Sequence, residues 1–327
     1  TLGLAANAFT GQIPIEFGRM TALHHLGLFD NQIQGTFPSE LCMLTALETL
    51  ELSRNQIKGS LPSQIGQLAN LTRLSLFENV LTGPIPSELC LLTAMEFLDV
   101  DMNQLDGCIP SQIGQLKRIP AVYLHQNALT GPIPSELGLM TSVRTILLYG
   151  NHLQERIPSE LGQLRNLTGL SLQRNYLEGP IPTTFGLLEH LEGLQLMYNK
   201  LQGTLPMELG LLTTLEGLEL HQNHLTGLIP SEIGSLSKLQ RLSLHGNQLS
   251  GAIPDELFSL ITNASLTYFS ITANVNLSGT VPKAVCLTES VRFDCSDHLC
   301  GCECSCMNIV SNGTEIIANP ATGHKED

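Results

Sequence analysis

Asparagine recurs in this chain with a fixed step of 24: Asn7, Asn31, Asn55, Asn79, Asn103, Asn127, Asn151, Asn175, Asn199, Asn223 and Asn247. A proline follows each by seven positions, from Pro14 to Pro254. A twelfth unit, with Asn274 and Pro282, follows a three-residue insertion near Thr262. A period this strict means stacked units, each burying its apolar face against the next because none can bury it alone.

The shared pattern is L-x-x-L-x-L-x-x-N-x-L-x-G-x-I-P-S-E-L-G-x-L, seen in "LTRLSLFENVLTGPIPSELCLL" at 71–92. Alternating leucines such as Leu74 and Leu76 predict a short strand with one buried face. The Asn turns the chain, and its buried amide can bond backbone groups of neighbouring turns that would otherwise go unsatisfied, so the asparagines should form a ladder. Gly83 allows a tight bend and Ile85 drops into the core. "PSEL" opens a short helical turn, with Ser87 expected as its cap and Glu88 complementing its dipole. In "LQERIP" Glu155 replaces the bend glycine, so the backbone there is expected to depart from its siblings.

This pattern resembles the leucine-rich repeat, in the 24-residue plant-type class with the L-x-G-x-I-P segment. The resemblance covers residues 1–285 and implies an α/β solenoid: a right-handed curved superhelix of about 12 repeats, with a concave parallel β-sheet and short 3-10 or helical turns on the convex side. At about 4.8 Å per strand, it would extend about 55–60 Å. Residues 286–306 are expected to form a Cys-rich C-terminal cap over the open end, and 307–327 a flexible tail that reads as a linker or stalk. The chain opens inside the pattern, at "TLGLAANAFTG", and reads as a fragment without its N-terminal cap.

The formal net charge is −14, which disfavours nucleic acid as a partner, since phosphates need Lys and Arg to neutralise them. Eight acidic residues recur at the start of the helical turn (Glu16, Glu40, Glu88, Glu136, Glu160, Glu208, Glu232 and Glu256). Helix-start electrostatics explains them, so much of the acidity is structural rather than a sign of a cationic partner. No apolar run reaches the length of roughly 18 residues that marks a transmembrane helix. None of the metalloprotease, nucleophile-elbow, P-loop or dinucleotide motifs is present, and Asp99 and Asp101, which share a strand face, would sit on an open sheet that excludes little water. No catalytic residue and no cofactor are expected.

The concave positions are the natural recognition surface. They hold all five tyrosines (Tyr123, Tyr149, Tyr176, Tyr198, Tyr268), Phe29, Phe77 and Phe97, and six of the ten histidines (His25, His125, His152, His221, His224, His245). Such side chains combine apolar area with a polar handle. The position two before each Asn reads Ala5, Phe29, Ser53, Phe77, Asp101, His125, Tyr149, Gln173, Met197, His221, His245 and Thr272, which predicts an exposed stripe. The candidate ligand-binding residues are Phe29, Phe77, Phe97, Asp99, Asp101, Tyr123, His125, Tyr149, Met197, Tyr198, His221 and His245. Asp30, Glu51, Glu78, Asp99 and Asp101 form an acidic group, with Arg54 and Arg73 among them to neutralise it. His221 and His245 on adjacent strands, with Glu219, are an alternative divalent-metal set, but their spacing fits no closed site, so no metal is expected.

Six of the nine cysteines crowd the end: Cys286, Cys295, Cys300, Cys302, Cys304 and Cys306. Disulfides stapling a cap are expected there; a thiolate metal site is the alternative, though C-x-C-x-C is not the usual zinc spacing. Six cysteines allow 15 pairings. The segment is similar to caps of extracellular repeat proteins of diatoms and related algae. Cys42 and Cys90 take the same glycine slot two repeats apart, too far to bridge, and Cys90 and Cys108 on neighbouring coils are a possible pair. Five sequons, at Asn70, Asn166, Asn263, Asn276 and Asn312, add N-linked glycans to the expectation. Together these features point to a secreted or cell-surface protein. The expected function is a non-catalytic binding module for an extracellular protein, peptide or glycan, with a membrane tether possible through a missing or C-terminal segment. The alternatives are a structural or adhesive cell-surface or matrix glycoprotein and, third, ice binding. The last needs a regular Thr or Asn array, and the residues before the bend glycine (Thr10, Gln34, Lys58, Thr82, Asp106) are irregular.

Overall fold

The computed structural model describes residues 1–262, 265–274 and 276–278, with the backbone of 291–292. Each repeat is one coil. A short strand, for example Arg73–Ser75, leads into the Asn turn; a second short strand, Val80–Pro84, follows; then a 3-10 turn, Ser87–Leu91, returns the chain. The first strands stack in chain order into a 13-stranded parallel sheet running from Leu2–Gly3 to Val291–Arg292. Its register is the sequence period itself, since Leu50 pairs with Leu74 and Leu74 with Leu98. This is the expected solenoid, with the long sheet on the concave side and 3-10 turns opposite.

The core is one continuous column of leucine and isoleucine: Leu50, Leu74, Leu98, Ile146 and Leu170 from the strands, with Leu89, Ile113 and Leu137 from the turns, all buried. The expected asparagine ladder runs through it. In the Asn103 coil the amide Nδ2 donates to the carbonyls of Leu76 (3.0 Å), Val100 (3.3 Å) and Asp101 (3.0 Å), while Oδ1 accepts from Leu81 N–H at 2.9 Å. From Asn31 onward each Asn of the ladder thus ties its own coil to the preceding one through both ends of its amide.

The glycine of the 3-10 turn is required by close stacking: a Cβ on Gly66 would lie 2.8 Å from the Glu88 carbonyl oxygen. Cys42 and Cys90 occupy this slot in their coils, and the residues 22 positions on are Gln64 and Gln112 instead of Glu. Both thiols are fully buried and unbridged, and Cys108 is exposed and also free, so Cys90 and Cys108 are not paired. Burial pushes the Cys42 thiol up to about 11, with the Glu40 charge adding to it, and the Cys90 thiol up to about 12.

Two local expectations are corrected. Ser87 does not cap its turn: its hydroxyl lies 3.3 Å from Glu88 Oε2, Pro86 precedes the turn in extended conformation, and no side-chain cap bond forms. The turn is a single 3-10 loop closed by Leu89 N–H on the Pro86 carbonyl at 3.0 Å, which leaves the hydroxyl no helical N–H to take. Nor does the backbone at Glu155 depart from its siblings. It holds φ +66°, close to the +70° of Gly107 and +72° of Gly131. Stacking imposes this left-handed bend on a residue with a Cβ: Glu155 still accepts Glu178 N–H at 2.8 Å, and Arg156 bridges Glu178 in parallel. The three-residue insertion is absorbed by an α-helix, Asp255–Thr262, in place of a 3-10 turn. The cap cysteines Cys286, Cys295, Cys300, Cys302, Cys304 and Cys306, the sequons Asn263 and Asn312, and the tail 307–327 lie outside the described residues.

Candidate ligand-binding face

The long sheet carries two clusters of candidate residues, and each grows from the register. Because the strands recur once per repeat, side chains at equal repeat positions become lateral neighbours, close enough for rings to touch. In the N-terminal half Phe97 and Tyr123 lie with ring centres 6.1 Å apart, and His125 stacks on Tyr149 at 4.4 Å with an interplanar angle of 26°. Arg73 sits over the Phe97 ring at 3.8 Å and Arg54 over Phe77 at 5.5 Å. In the C-terminal half Tyr198 meets His221 edge-on at 5.2 Å, and His221 stacks on His245 at 4.3 Å. The His245 Nδ1 is 3.0 Å from the Ser243 hydroxyl.

The candidate residues of this face are not uniformly exposed. Phe29 is exposed; Phe77, Phe97, Tyr123, Tyr149, Met197, Tyr198 and His245 are half-buried. Asp99, Asp101, His125 and His221 are buried. For the stripe positions Asp101, His125 and His221, and for Ser53, the expectation of exposure fails, and the candidate Asp99 beside the stripe is buried as well, because side chains on neighbouring strands pack over them. Phe29 stands apart, separated from Phe77 by buried Ser53.

Asp99, Asp101 and His125 form a compact polar cluster. Asp99 Oδ1 accepts the Asp101 backbone N–H at 3.3 Å, and Asp101 Oδ2 lies 3.1 Å from His125 Nε2. Burial, then the neighbouring Asp99 charge, raises the Asp101 carboxyl; burial also raises Asp99. Burial lowers the His125 imidazole. Burial disfavours the charged form of both groups, so the Asp101–His125 contact is not held by two full opposite charges. Self-neutralisation of the acidic group is partial. Arg54 pairs with Glu78 at 3.3 Å and Arg73 with Glu51 at 2.7 Å, leaving the two aspartates to share with His125.

Glu219 pairs with Arg241 at 3.2 Å, and no group of three His, Cys, Asp or Glu among the described residues is arranged to hold a metal ion. A hollow of about 540 Å³ lies at the Asn-turn edge beside the second cluster, lined by Tyr176, Tyr198, Lys200, Gln222, His224 and Gln248. Lys200 lies 5.1 Å over the Tyr176 ring, and His152 packs on Tyr176 at 5.8 Å. Tyr176, His152 and His224 were legible as concave positions. What singles them out is their place directly after an Asn, which carries this rim from coil to coil.

The second strands do not form one long sheet. They split into short sheets of two or three strands, linked only by isolated bridges such as Thr36 to Lys58 and Cys108 to Thr130.

The leucine-rich repeat family model matches residues 46–68, 70–92, 166–188, 214–236 and 238–260. The chain is 35% identical to the PEPR1 chain of a PEPR1–AtPEP1 crystal structure, covering 88% of this chain and 40% of that one at TM-score 0.81. It is 34% identical to the Arabidopsis receptor kinase HAESA, solved with the peptide hormone IDA and the co-receptor SERK1, over 87% of this chain and 51% of that one at TM-score 0.73. A Leptospira interrogans leucine-rich repeat protein matches at 32% identity over 83% of this chain and 77% of that one, TM-score 0.51. A plant ice-binding protein matches at 28% identity over 76% and 80%, TM-score 0.59. A search of curated proteins finds no match. The chain belongs to the leucine-rich repeat proteins. It spans about half or less of the length of the plant receptor chains it matches. No helix among the described residues is long and apolar enough to cross a membrane.

Proposed function

We propose that this chain is an extracellular, non-catalytic recognition module that binds an extended peptide along its concave sheet. The observation that carries the reading is the set of part-exposed rings on the concave sheet, Phe77, Tyr149, Tyr198 and His245, backed by the buried rings His125 and His221 that stack between neighbouring strands. It offers aromatic faces and polar edges on several strands along the sheet, an arrangement that suits a peptide crossing the strands. The likeness to HAESA, solved with a peptide hormone, supports the peptide over a glycan. Asn70 and Asn166 are exposed on the flank, each donating to a carbonyl of the preceding coil, Thr45 at 2.8 Å and Thr141 at 3.0 Å. A glycan on either leaves one amide hydrogen for that bond, and both sit away from the concave sheet, so N-linked glycosylation is compatible with binding. Asn276, also exposed, is a third candidate.

The ice-binding reading is supported by one structural likeness, but the interrupted second sheet and its mixed residues lack the flat array it needs. A structural or adhesive role is the competing reading. The test is to secrete the intact chain and screen it against extended peptides and plant-type glycans, beside a Phe77→Ala/Tyr149→Ala/Tyr198→Ala variant. Saturable peptide binding lost in the folded variant supports the reading. Self-association in light scattering with no peptide binding supports the structural one.

A further inference from the structure

Resting on the peptide-binding reading, the N-terminal cluster bears on one feature of the ligand. Asp99 and Asp101 lie together there with Glu78 near enough to act on both, and the two arginines are already committed. Arg54 pairs with Glu78 and lies over Phe77; Arg73 pairs with Glu51 and lies over Phe97, from where it also acts on Asp99. Neither Asp99 nor Asp101 has an ion pair with Lys or Arg among the described residues. The basic group that Asp101 does touch, His125, is neutral. Two buried polar atoms here lack a partner among the described residues: Asp101 Oδ1 and His125 Nδ1, on side chains only 9% and 10% exposed.

Tyr123 borders this cluster. It is the direct register partner of Asp99 on the adjacent strand, its ring is half-buried, and its hydroxyl feels both aspartates. Phe77 and Phe97 each carry a guanidinium of this chain; Tyr123 carries none among the described residues. An aromatic face next to carboxylates in a low-dielectric setting attracts a cation through its quadrupole and their charge together.

We infer that Tyr123 and the Asp99–Asp101 pair beside it form a subsite for one cationic group of the bound peptide, a guanidinium or an ammonium. An incoming cation would favour the ionised form of both aspartates, which burial alone disfavours, as Arg73 already does for Asp99. The test has two arms on the intact secreted chain. In the first, an array of peptides carries Arg, Lys, citrulline or Leu at each position; the expected result is a preference of about tenfold for Arg or Lys at one position, absent in Asp99→Asn/Asp101→Asn. In the second, saturation-transfer NMR compares arginine amide with citrulline amide; transfer to arginine amide alone, lost in Asp99→Asn/Asp101→Asn and in Tyr123→Leu, supports the subsite. The Asn variant is isosteric and neutral, and Tyr123→Leu carries the test should the double variant fail to fold. Peptides that bind without any cation preference, or a preference that survives both variants, would overturn the subsite while leaving peptide binding intact. A silent array with variant-sensitive arginine amide transfer would support the subsite and refute the peptide reading.

Discussion

Asn127 offers the sharpest test of how the solenoid is held together. Its Oδ1 accepts Leu105 N–H at 3.0 Å, and its Nδ2 donates to the carbonyls of Val100 (3.1 Å), Leu124 (3.3 Å) and His125 (3.2 Å). Replacement by Ala breaks four bonds, but their costs differ. Val100 O keeps Asn103, Leu124 O keeps Asn151, and His125 O keeps the Met102 N–H. Only the buried Leu105 N–H is orphaned, at about 1–3 kcal/mol, while the three carbonyls, each still bonded, lose about 0.3 kcal/mol apiece. Asn127→Ala should therefore cost about 2–4 kcal/mol. Asn127→Asp keeps the acceptor for Leu105 but turns a carboxylate oxygen toward three carbonyl oxygens, so it should cost more than Ala at pH 7 and recover at pH 4, where the carboxyl can donate. Urea unfolding gives the free energy, and amide exchange at Leu105 locates the loss. An Ala variant within about 0.5 kcal/mol of the parent, below the cost of one orphaned buried N–H, would refute the ladder as the main polar tie between coils. So would an Asp variant milder than Ala at pH 7.

Three further outcomes are expected. Asp99 and Asp101 have their carboxyls raised, to about 6 and about 8, and His125 its imidazole lowered to about 4. The aspartates stabilise the fold below the ordinary carboxylate range and lose that contribution as pH rises through 6 and 8, while His125 contributes above its ordinary value and loses it as pH falls toward 4. Two protons held against one released make the Tm fall from pH 5 to pH 8, and Asp101→Asn should flatten that slope in a melting series. Glu155→Gly, relieving a left-handed residue that carries a Cβ, should raise stability by about 1 kcal/mol in urea unfolding. A maleimide probe on the native chain should label Cys108 and spare Cys42 and Cys90, whose buried thiols stay protonated; peptide mapping of the labelled sites checks it.

Much of the architecture was legible because the repeat makes one local solution serve the whole chain. Asn103, Leu74 and Gly83 each have a role that follows from spacing alone, and the structure repeats it coil after coil. What spacing could not show is how unlike neighbours at one position cover each other. Asp101, His125 and His221 read as exposed because their position is concave; Tyr149 stacks over His125, Tyr198 and His245 pack on His221, and His125 lies against Asp101. At Glu155 a local rule yields to a collective one, as the coils on either side hold the bend that the missing glycine would have favoured. At Ser87 a short 3-10 turn leaves a capping residue without the helical donor it serves in a longer helix.

The central claim is that the concave aromatic row is the ligand surface. The most direct measurement is a titration of the intact chain with a peptide selected in the screen, repeated on Phe77→Ala/Tyr149→Ala/Tyr198→Ala, with the Tm of both recorded. The account predicts at least a tenfold loss of affinity, about 1.4 kcal/mol, in a variant that still melts cooperatively. Unchanged affinity in the folded variant would contradict it.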